Sequence, residues 1–301
     1  MTGRAPGAEA ATVEQVDGRQ VVSTPCKVNL HLGIHAGRDA RGYHRVDSVM
    51  VPVALFDTIE IADAPELEVC HEPALEVSPE HTTVWAAASL LAEELGREPR
   101  VRIRVAARIP EKAGLGGSSA DAGAVLRALA ARWGVDALDE RVVSVARRVG
   151  ADVAFFLRPE PALYRGAGDV AVRAFPSLEM PLALVMPAAS GVSTAEAYAE
   201  FDRSGAAPAG YEDLCAALAE GDARAVAGAL HNNLAPAACA LSAEVGRVAG
   251  WLAAQRGVLG AQVTGSGACS FAICETPAAA ERIAAAAREG QGWRAWATHT
   301  I

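Results

Sequence analysis

Residues 109–126 read IPEKAGLGGSSADAGAVL. A proline opens the stretch, a short glycine-rich turn and two serines follow, and an alanine-rich helical run closes it. Three of the four residues 114–117 are glycine, which frees the backbone for positive φ and lets it approach a ligand with no Cβ in the way. The helix behind the turn offers unpaired N–H groups and the positive end of its dipole, the ingredients of an anion site and most often a phosphate site. The same string also serves as a plain turn entering a helix, so its partners elsewhere in the chain decide its meaning. It is not a Walker A loop, because the closing G-K-[ST] is missing. Nor is it the G-x-G-x-x-G of a βαβ dinucleotide fold.

Composition narrows the class. The chain has 301 residues, 51% of them apolar, and a net charge of −9. That length suits one large or two modest domains, and the acidic balance without basic clusters disfavours nucleic acid. No apolar run is long enough to span a membrane. The first eighteen residues lack the apolar segment of a signal peptide and read as a loose tail. The six cysteines, Cys26, Cys70, Cys215, Cys239, Cys269 and Cys274, are scattered without a C-x-x-C pair. They read as reduced thiols of a cytoplasmic protein. Only two lysines, Lys27 and Lys112, stand among the 27 basic residues. A lysine kept against such a bias toward arginine marks a place for a compact point charge or is a chance survivor.

Periodicity predicts strands at 21–34 and 51–61, a polar loop between them, a short hairpin from 67–70 and 75–77, a helix at 84–95, a strand at 101–107 and a helix at 118–133. A helix at 142–149 leads through GADVAFFL into an apolar run. Further on come a strand at 182–186, helices at 193–201, 211–219, 223–230 and 243–255, strands on both sides of GSGAC, a helix at 277–288 and a last strand at 293–298. Strands and helices mix without Rossmann alternation, so the fold class is α+β.

Several residues stand out against this frame. Lys27 lies inside an apolar alternating segment, where a charge is costly without an anionic partner; a snorkelling edge-strand lysine is the plainer reading. Asn29, two residues on, shares its face of the strand. Asp152, at the edge of an apolar run, is either an N-cap or a site residue. Tyr43 and His44 sit in the polar loop, where surface decoration is the ordinary reading. Thr194 and Tyr198 fall on one helical face.

Five segments together carry a family resemblance: PCKVNLHLGI at 25–34, GYH at 42–44, the glycine loop at 110–121, GADVAFF at 150–156 and VTGSGACSFA at 263–272. The chain resembles the GHMP kinase superfamily over roughly residues 20–298, nearly its whole length. K-x-N-L-x-L, G-Y-H and G-A-D-V point to the branch that acts on a cytidine-diphosphate-linked polyol. The resemblance implies a two-lobed α+β fold, with a ribosomal-S5-like N-terminal lobe and a ferredoxin-like C-terminal lobe. Residues 1–18 would be the tail, 19–165 the lobe carrying the ATP loop, and 166–301 the second lobe.

It further implies ATP-dependent phosphorylation of the 2-hydroxyl of 4-diphosphocytidyl-2-C-methyl-D-erythritol, in non-mevalonate isoprenoid synthesis. Asp152 becomes the catalytic aspartate that takes the hydroxyl proton, and Lys27 holds it ionised and polarises the hydroxyl. The ATP-binding set is Pro110, Lys112, Ala113, Gly114, Leu115, Gly116, Gly117, Ser118, Ser119 and Ala120. The substrate set is Asn29, Tyr43, His44, Thr194 and Tyr198, with Tyr43 and Tyr198 on the two sides of the cytosine and His44 hydrogen-bonding it. ATP with Mg²⁺ is the co-substrate, with no redox cofactor and no metal ligand assigned. The partners are the cytidyl-diphosphate polyol and ATP, with no nucleic acid and no membrane; the oligomeric state is left open. Gly265, Ser266 and Gly267 resemble the third motif and support the phosphate loop or approach the substrate.

Departures from the family pattern are small. Pro25-Cys26 stands for Pro-Ala, and Thr82-Thr83 for the frequent asparagine on the adenine side. Asp169 closes a GAGD turn, and Asn232-Asn233 replaces Asn-Asp away from the proposed chemistry. The alternatives are another small-molecule kinase of the superfamily, of homoserine or mevalonate type, and a non-catalytic ligand sensor. The GYH loop argues against the first; the intact Lys27, Asp152 and glycine loop argue against the second.

Overall fold

The computed structural model describes residues 13–301 apart from 17, 41 and 190. Residues 1–12 of the expected tail lie outside the described residues. The chain divides into two compact units that do not follow chain order. The first takes the described residues up to Cys26, Leu55–Pro110 and Gly116–Pro159; the second takes Lys27–Ala54, Glu111–Leu115 and Glu160–Ile301.

The first unit is a sheet covered by helices. Strand β1 (Val13–Val16), placed in the tail by composition, pairs antiparallel with the start of β2 (Arg19–Arg38). Strand β3 (His44–Asp63) follows, then β4 (Glu68–Glu72), helix α1 (Thr83–Glu94) and β5 (Val101–Ala106). The strand order is β1-β2-β3-β5-β4. The expected hairpin at 67–77 is corrected: β4 runs parallel to β5. Parallel neighbours need a crossover, and α1 supplies it, while Pro73 has no N–H with which to continue a ladder. Thr82 caps α1 by accepting from Trp85 N–H at 3.2 Å, worth about 1 kcal/mol.

Helix α2 (Gly117–Arg132) is the hub of this unit, with nearly every residue from Ala120 to Ala130 buried. Its small side chains let neighbours come close. A Cβ on Gly123 would sit 2.4 Å from Phe156 Cβ, so Gly123 is where α2 meets the 3₁₀ turn Ala151–Leu157. Helix α3 (Glu140–Val149) buries Val142, Val145 and Ala146 at i, i+3 and i+4 spacing and leaves its arginines outward. Ile59, Ile61, Val84, Leu91, Ile103, Val125, Leu126 and Val145 belong to one apolar cluster.

The second unit holds further strands of that same sheet and a separate four-stranded sheet. β6 (Ala162–Arg165) pairs antiparallel with Ser48–Met50 of β3, and β7 (Val170–Ala174) pairs with β6. After β8 (Pro181–Met186) come α4 (Thr194–Ser204), α5 (Glu212–Glu220), α6 (Ala223–Gly228), the two-residue β9 (His231–Asn232) parallel to His31–Leu32, and α7 (Ala235–Leu241). Then come α8 (Ala243–Ala253), β10 (Val258–Val263), β11 (Ser270–Cys274), α9 (Pro277–Gln291) and β12 (Arg294–His299). The second sheet is antiparallel in the order β10-β11-β8-β12. With α8 and α9 as connections this is the βαββαβ ferredoxin-like plan. Val185, Leu252, Ala272, Ile283, Ala284 and Trp293 form its core.

Periodicity missed β1, β6, β7, β9 and α7, all short. It also placed His44 in a loop, whereas His44 opens β3 and is buried. In the residues before it, glycine and charge outweigh the alternation that starts at Val46.

Candidate active site

Strand β2 carries the polar centre of the second unit. Lys27, Asn29 and His31 alternate onto one face, and all three are buried. Lys27, 2% exposed, donates from Nζ to Asn29 Oδ1 at 2.6 Å. Asn29 Nδ2 donates to Ser48 Oγ at 2.9 Å, and its main-chain N–H donates to Thr264 Oγ1 at 3.2 Å. The Thr264 hydroxyl reaches both Asn29 Oδ1 (3.3 Å) and the Gly114 carbonyl (3.2 Å). One network therefore joins Lys27, Asn29 and the glycine loop.

The first half of that loop is docked by its backbone. Lys27 N–H donates to Leu115 O at 3.0 Å, Ala268 N–H to Lys112 O at 3.1 Å and Cys269 N–H to Ala113 O at 3.1 Å. Gly114 has φ +73, and a Cβ there would lie 2.1 Å from Thr264 O, so no other residue fits. Lys112 adopts φ 50 and its side chain is exposed. The Gly265–Gly267 turn thus buttresses the loop. Asn232 braces the turn in its own right, donating from Nδ2 to Val263 O (2.8 Å) and Gly265 O (2.9 Å). Sequence reasoning set Asn232 aside, because its role lies in a bond to Gly265 that no local pattern announces.

A second cluster gathers around His44, itself 4% exposed. Its ring stacks on Tyr198 at 5.6 Å and meets Phe201 edge-on at 5.8 Å. Nδ1 lies 3.0 Å from the His35 carbonyl, so Nδ1 carries a proton and donates. Nε2 lies 3.0 Å from Asp202 Oδ1, within ion-pair range though oblique for a hydrogen bond. The adjacent Tyr43 is half exposed. Thr194, at the start of the same helix as Tyr198, pairs through Oγ1 with Ser266 Oγ at 3.0 Å. Tyr43, His44 and Tyr198 therefore sit in one region, and Thr194 ties that helix to the third glycine motif.

The remaining sequence-predicted residues lie in the first unit. Gly116 is left-handed (φ 77) and caps α2 with no side-chain hydrogen bond. The first-turn N–H groups of Gly117, Ser118 and Ser119 thus stay uncapped by any side chain, as an anion site requires. Thr83 Oγ1 donates to Ser118 O at 2.8 Å. Before the loop, the Asp57 carboxylate accepts from the N–H groups of Arg108 and, at 2.8 Å, Ile109. Asp152 is half-buried in the first turn of the 3₁₀ segment. The fully buried Phe155 and Phe156 behind it pack edge to face at 5.0 Å. Among the described residues no three His, Cys, Asp or Glu side chains gather as a metal site, and no helix is long and apolar enough to cross a membrane.

This fold, with a glycine loop entering a central helix, is the plan of the GHMP kinases: their N-terminal domain matches residues 82–159 and their C-terminal domain residues 214–291. The 4-diphosphocytidyl-2-C-methyl-D-erythritol kinase of Desulfitobacterium hafniense strain Y51 is 37% identical over 279 residues, 91% of this chain and 93% of that protein. The crystal structure of a 4-(cytidine 5'-diphospho)-2C-methyl-D-erythritol kinase superposes with a TM-score of 0.76 at 32% identity, covering 93% of this chain and 98% of that one. A homoserine kinase from Cytophaga hutchinsonii reaches a TM-score of 0.68 at 18% identity, over 96% of each chain, a likeness of fold alone. The chain belongs to the 4-diphosphocytidyl-2-C-methyl-D-erythritol kinase family.

Proposed function

We propose that this chain transfers the γ-phosphoryl group of ATP to the 2-hydroxyl of 4-diphosphocytidyl-2-C-methyl-D-erythritol. The observation that carries the reading is the stacked His44–Tyr198 pair, with the half-exposed Tyr43 next to it in the chain. A polyol or amino-acid substrate gives such a cluster nothing to stack on, whereas a cytosine does, at about 1–3 kcal/mol per base.

In this reading the N–H groups of Gly116, Gly117, Ser118 and Ser119 hold the β- and γ-phosphates, and Pro110, Lys112, Ala113, Gly114, Leu115 and Ala120 shape the loop around them. Mg²⁺ arrives with the nucleotide as part of the co-substrate. Asp152 accepts the hydrogen bond of the 2-hydroxyl and receives its proton as the oxygen attacks phosphorus. The bond from the γ-phosphorus to the β–γ bridging oxygen breaks, and ADP leaves. Lys27 adds positive charge at the reacting oxygens and is aimed by Asn29, which also meets substrate. Thr194 contacts the polyol side. A weakly basic carboxylate suffices, because the transition state is loose and positioning with charge neutralisation supplies most of the acceleration. Six free cysteines suit a reducing, cytoplasmic setting.

The test is an ADP-release assay with ATP, Mg²⁺ and a panel of acceptors: the cytidyl substrate, the same polyol without its cytidyl group, homoserine and mevalonate. Turnover of the cytidyl substrate alone is expected. A comparable kcat/KM for homoserine or mevalonate, or none for the cytidyl substrate, overturns the reading.

A further inference from the structure

The side chain of Asp202 has two jobs that the proposed chemistry does not use. Asp202 lies on α4, one turn after Tyr198 and next to Phe201. Its Oδ1 faces His44 Nε2 at 3.0 Å, and its Oδ2 takes a hydrogen bond from Arg38. Arg38 in turn donates from its other terminal nitrogen to the Gly42 carbonyl at 2.9 Å. Arg38 and His44 stand at the two ends of the turn that presents Tyr43. Inside that turn Tyr43 N–H donates to Asp39 Oδ1 at 3.0 Å, and Asp39 N–H to Tyr43 O at 2.7 Å. The turn is self-braced, and Asp202 fastens both of its ends to the helix that carries Tyr198.

An isolated exposed ion pair contributes little, but this carboxylate meets two side chains of one turn, the Arg38 guanidinium and the buried, stacked His44 ring. The His44 ring is held on several sides. Nδ1 is on the His35 carbonyl, Nε2 is against Asp202, one face is on Tyr198 and one edge is on Phe201. Nδ1 is committed to the His35 carbonyl, whereas Nε2 makes no hydrogen bond within the protein. His44 therefore acts as the wedge of this joint, beside the half-exposed Tyr43 ring.

We propose that Asp202 is a positioning residue that sets the gap between Tyr43 and Tyr198 and so selects a cytosine-bearing substrate. The proposal rests on the reading of the substrate given above. It makes the width of the base slot a property of the α4 carboxylate rather than of the aromatic rings alone. A planar base needs both rings at stacking distance from its two faces, and a turn released at both ends cannot hold one of them there.

Two measurements on the full chain separate the joint from the substrate reading. Amide hydrogen exchange of residues 39–44 in the ligand-free protein should rise about tenfold or more in Asp202→Ala, with exchange in α9 unchanged as the control; unchanged exchange in the turn overturns the joint. In steady-state kinetics Asp202→Ala should raise KM for the cytidyl substrate about tenfold, with kcat and KM for ATP within about twofold. Asp202→Glu should restore much of the loss. Parallel loss in kcat and both KM values, with a lowered Tm, makes Asp202 merely structural and overturns the proposal. A turn that loosens in a protein whose wild type does not use the cytidyl substrate overturns the substrate reading, and with it the purpose assigned to the joint.

Discussion

Asp57 and Asp121 are neighbouring buried carboxyl groups, each acting on the other's charge. Asp57 sits on β3 and holds the N–H groups of Arg108 and Ile109, the last residues before the glycine loop. Asp121 lies in the second turn of α2, just past the end of the loop. Burial pushes Asp121 well above the ordinary carboxylate range, and the neighbouring Asp57 pushes it further. Asp121 therefore keeps the proton. The pair stands where the chain enters and leaves the loop.

A raised folded-state pKa stabilises fully below the unfolded value, about 4, and the stabilisation is lost as pH rises through the folded value. Asp121→Asn keeps a neutral donor at every pH. Wild type should therefore lose stability relative to Asp121→Asn as pH rises above about 4, measured by urea unfolding. Parallel stability curves would sink the retained proton.

His31 titrates in the opposite sense. Burial, and then the neighbouring His231, lower it from 6.5 to about 4; the His31 and His231 rings are 5.2 Å apart, and neither His31 nitrogen has a hydrogen-bond partner. A depressed histidine stabilises above its unfolded pKa, and that contribution is lost as pH falls from 6.5 toward 4. On the order of 2 kcal/mol is at stake for a largely buried ring. His31→Phe should flatten the acid limb of the stability curve by about that amount. An acid limb as steep as that of wild type would show that other groups set it.

Asp152→Ala should lower kcat by about 10³-fold or more, the range for losing a positioned proton acceptor together with its charge. Affinity for a non-hydrolysable ATP analogue should stay within about threefold. The two are read by ADP release and by calorimetry. Substantial remaining kinase activity would remove Asp152 from the role proposed for it.

Tyr43→Ala removes one wall of the base slot and leaves the phosphate loop alone. KM for the cytidyl substrate should rise about 10- to 100-fold, matching 1–3 kcal/mol of stacking, while KM for ATP barely moves. Equal increases in both would argue against a cytosine clamp at this turn.

The glycine loop, the strand beginning at Lys27 and the helix after Gly117 were legible because their signals are local. Glycine at 114 and 116 reports positive φ, and alternation through 21–34 reports a strand. His44 was misplaced for an equally local reason: the glycine and charges before it mask the start of β3. Asp202, Thr264 and Asn232 were invisible as site residues, because each matters only through a partner far along the chain. Asp202 meets Arg38 and His44, Thr264 meets Asn29, and Asn232 meets Gly265.

By itself the sequence determined the α+β class, the family and the residue types available for phosphoryl transfer, since motifs and periodicity are written in neighbouring residues. Only the tertiary structure decided which segments share a unit, how residues 111–115 dock by backbone bonds against the turn at 264–268, and that His44 Nδ1 is held by the His35 carbonyl. Hydrogen bonds across a hundred residues or more depend on strand order and register, and these arise from packing the whole core.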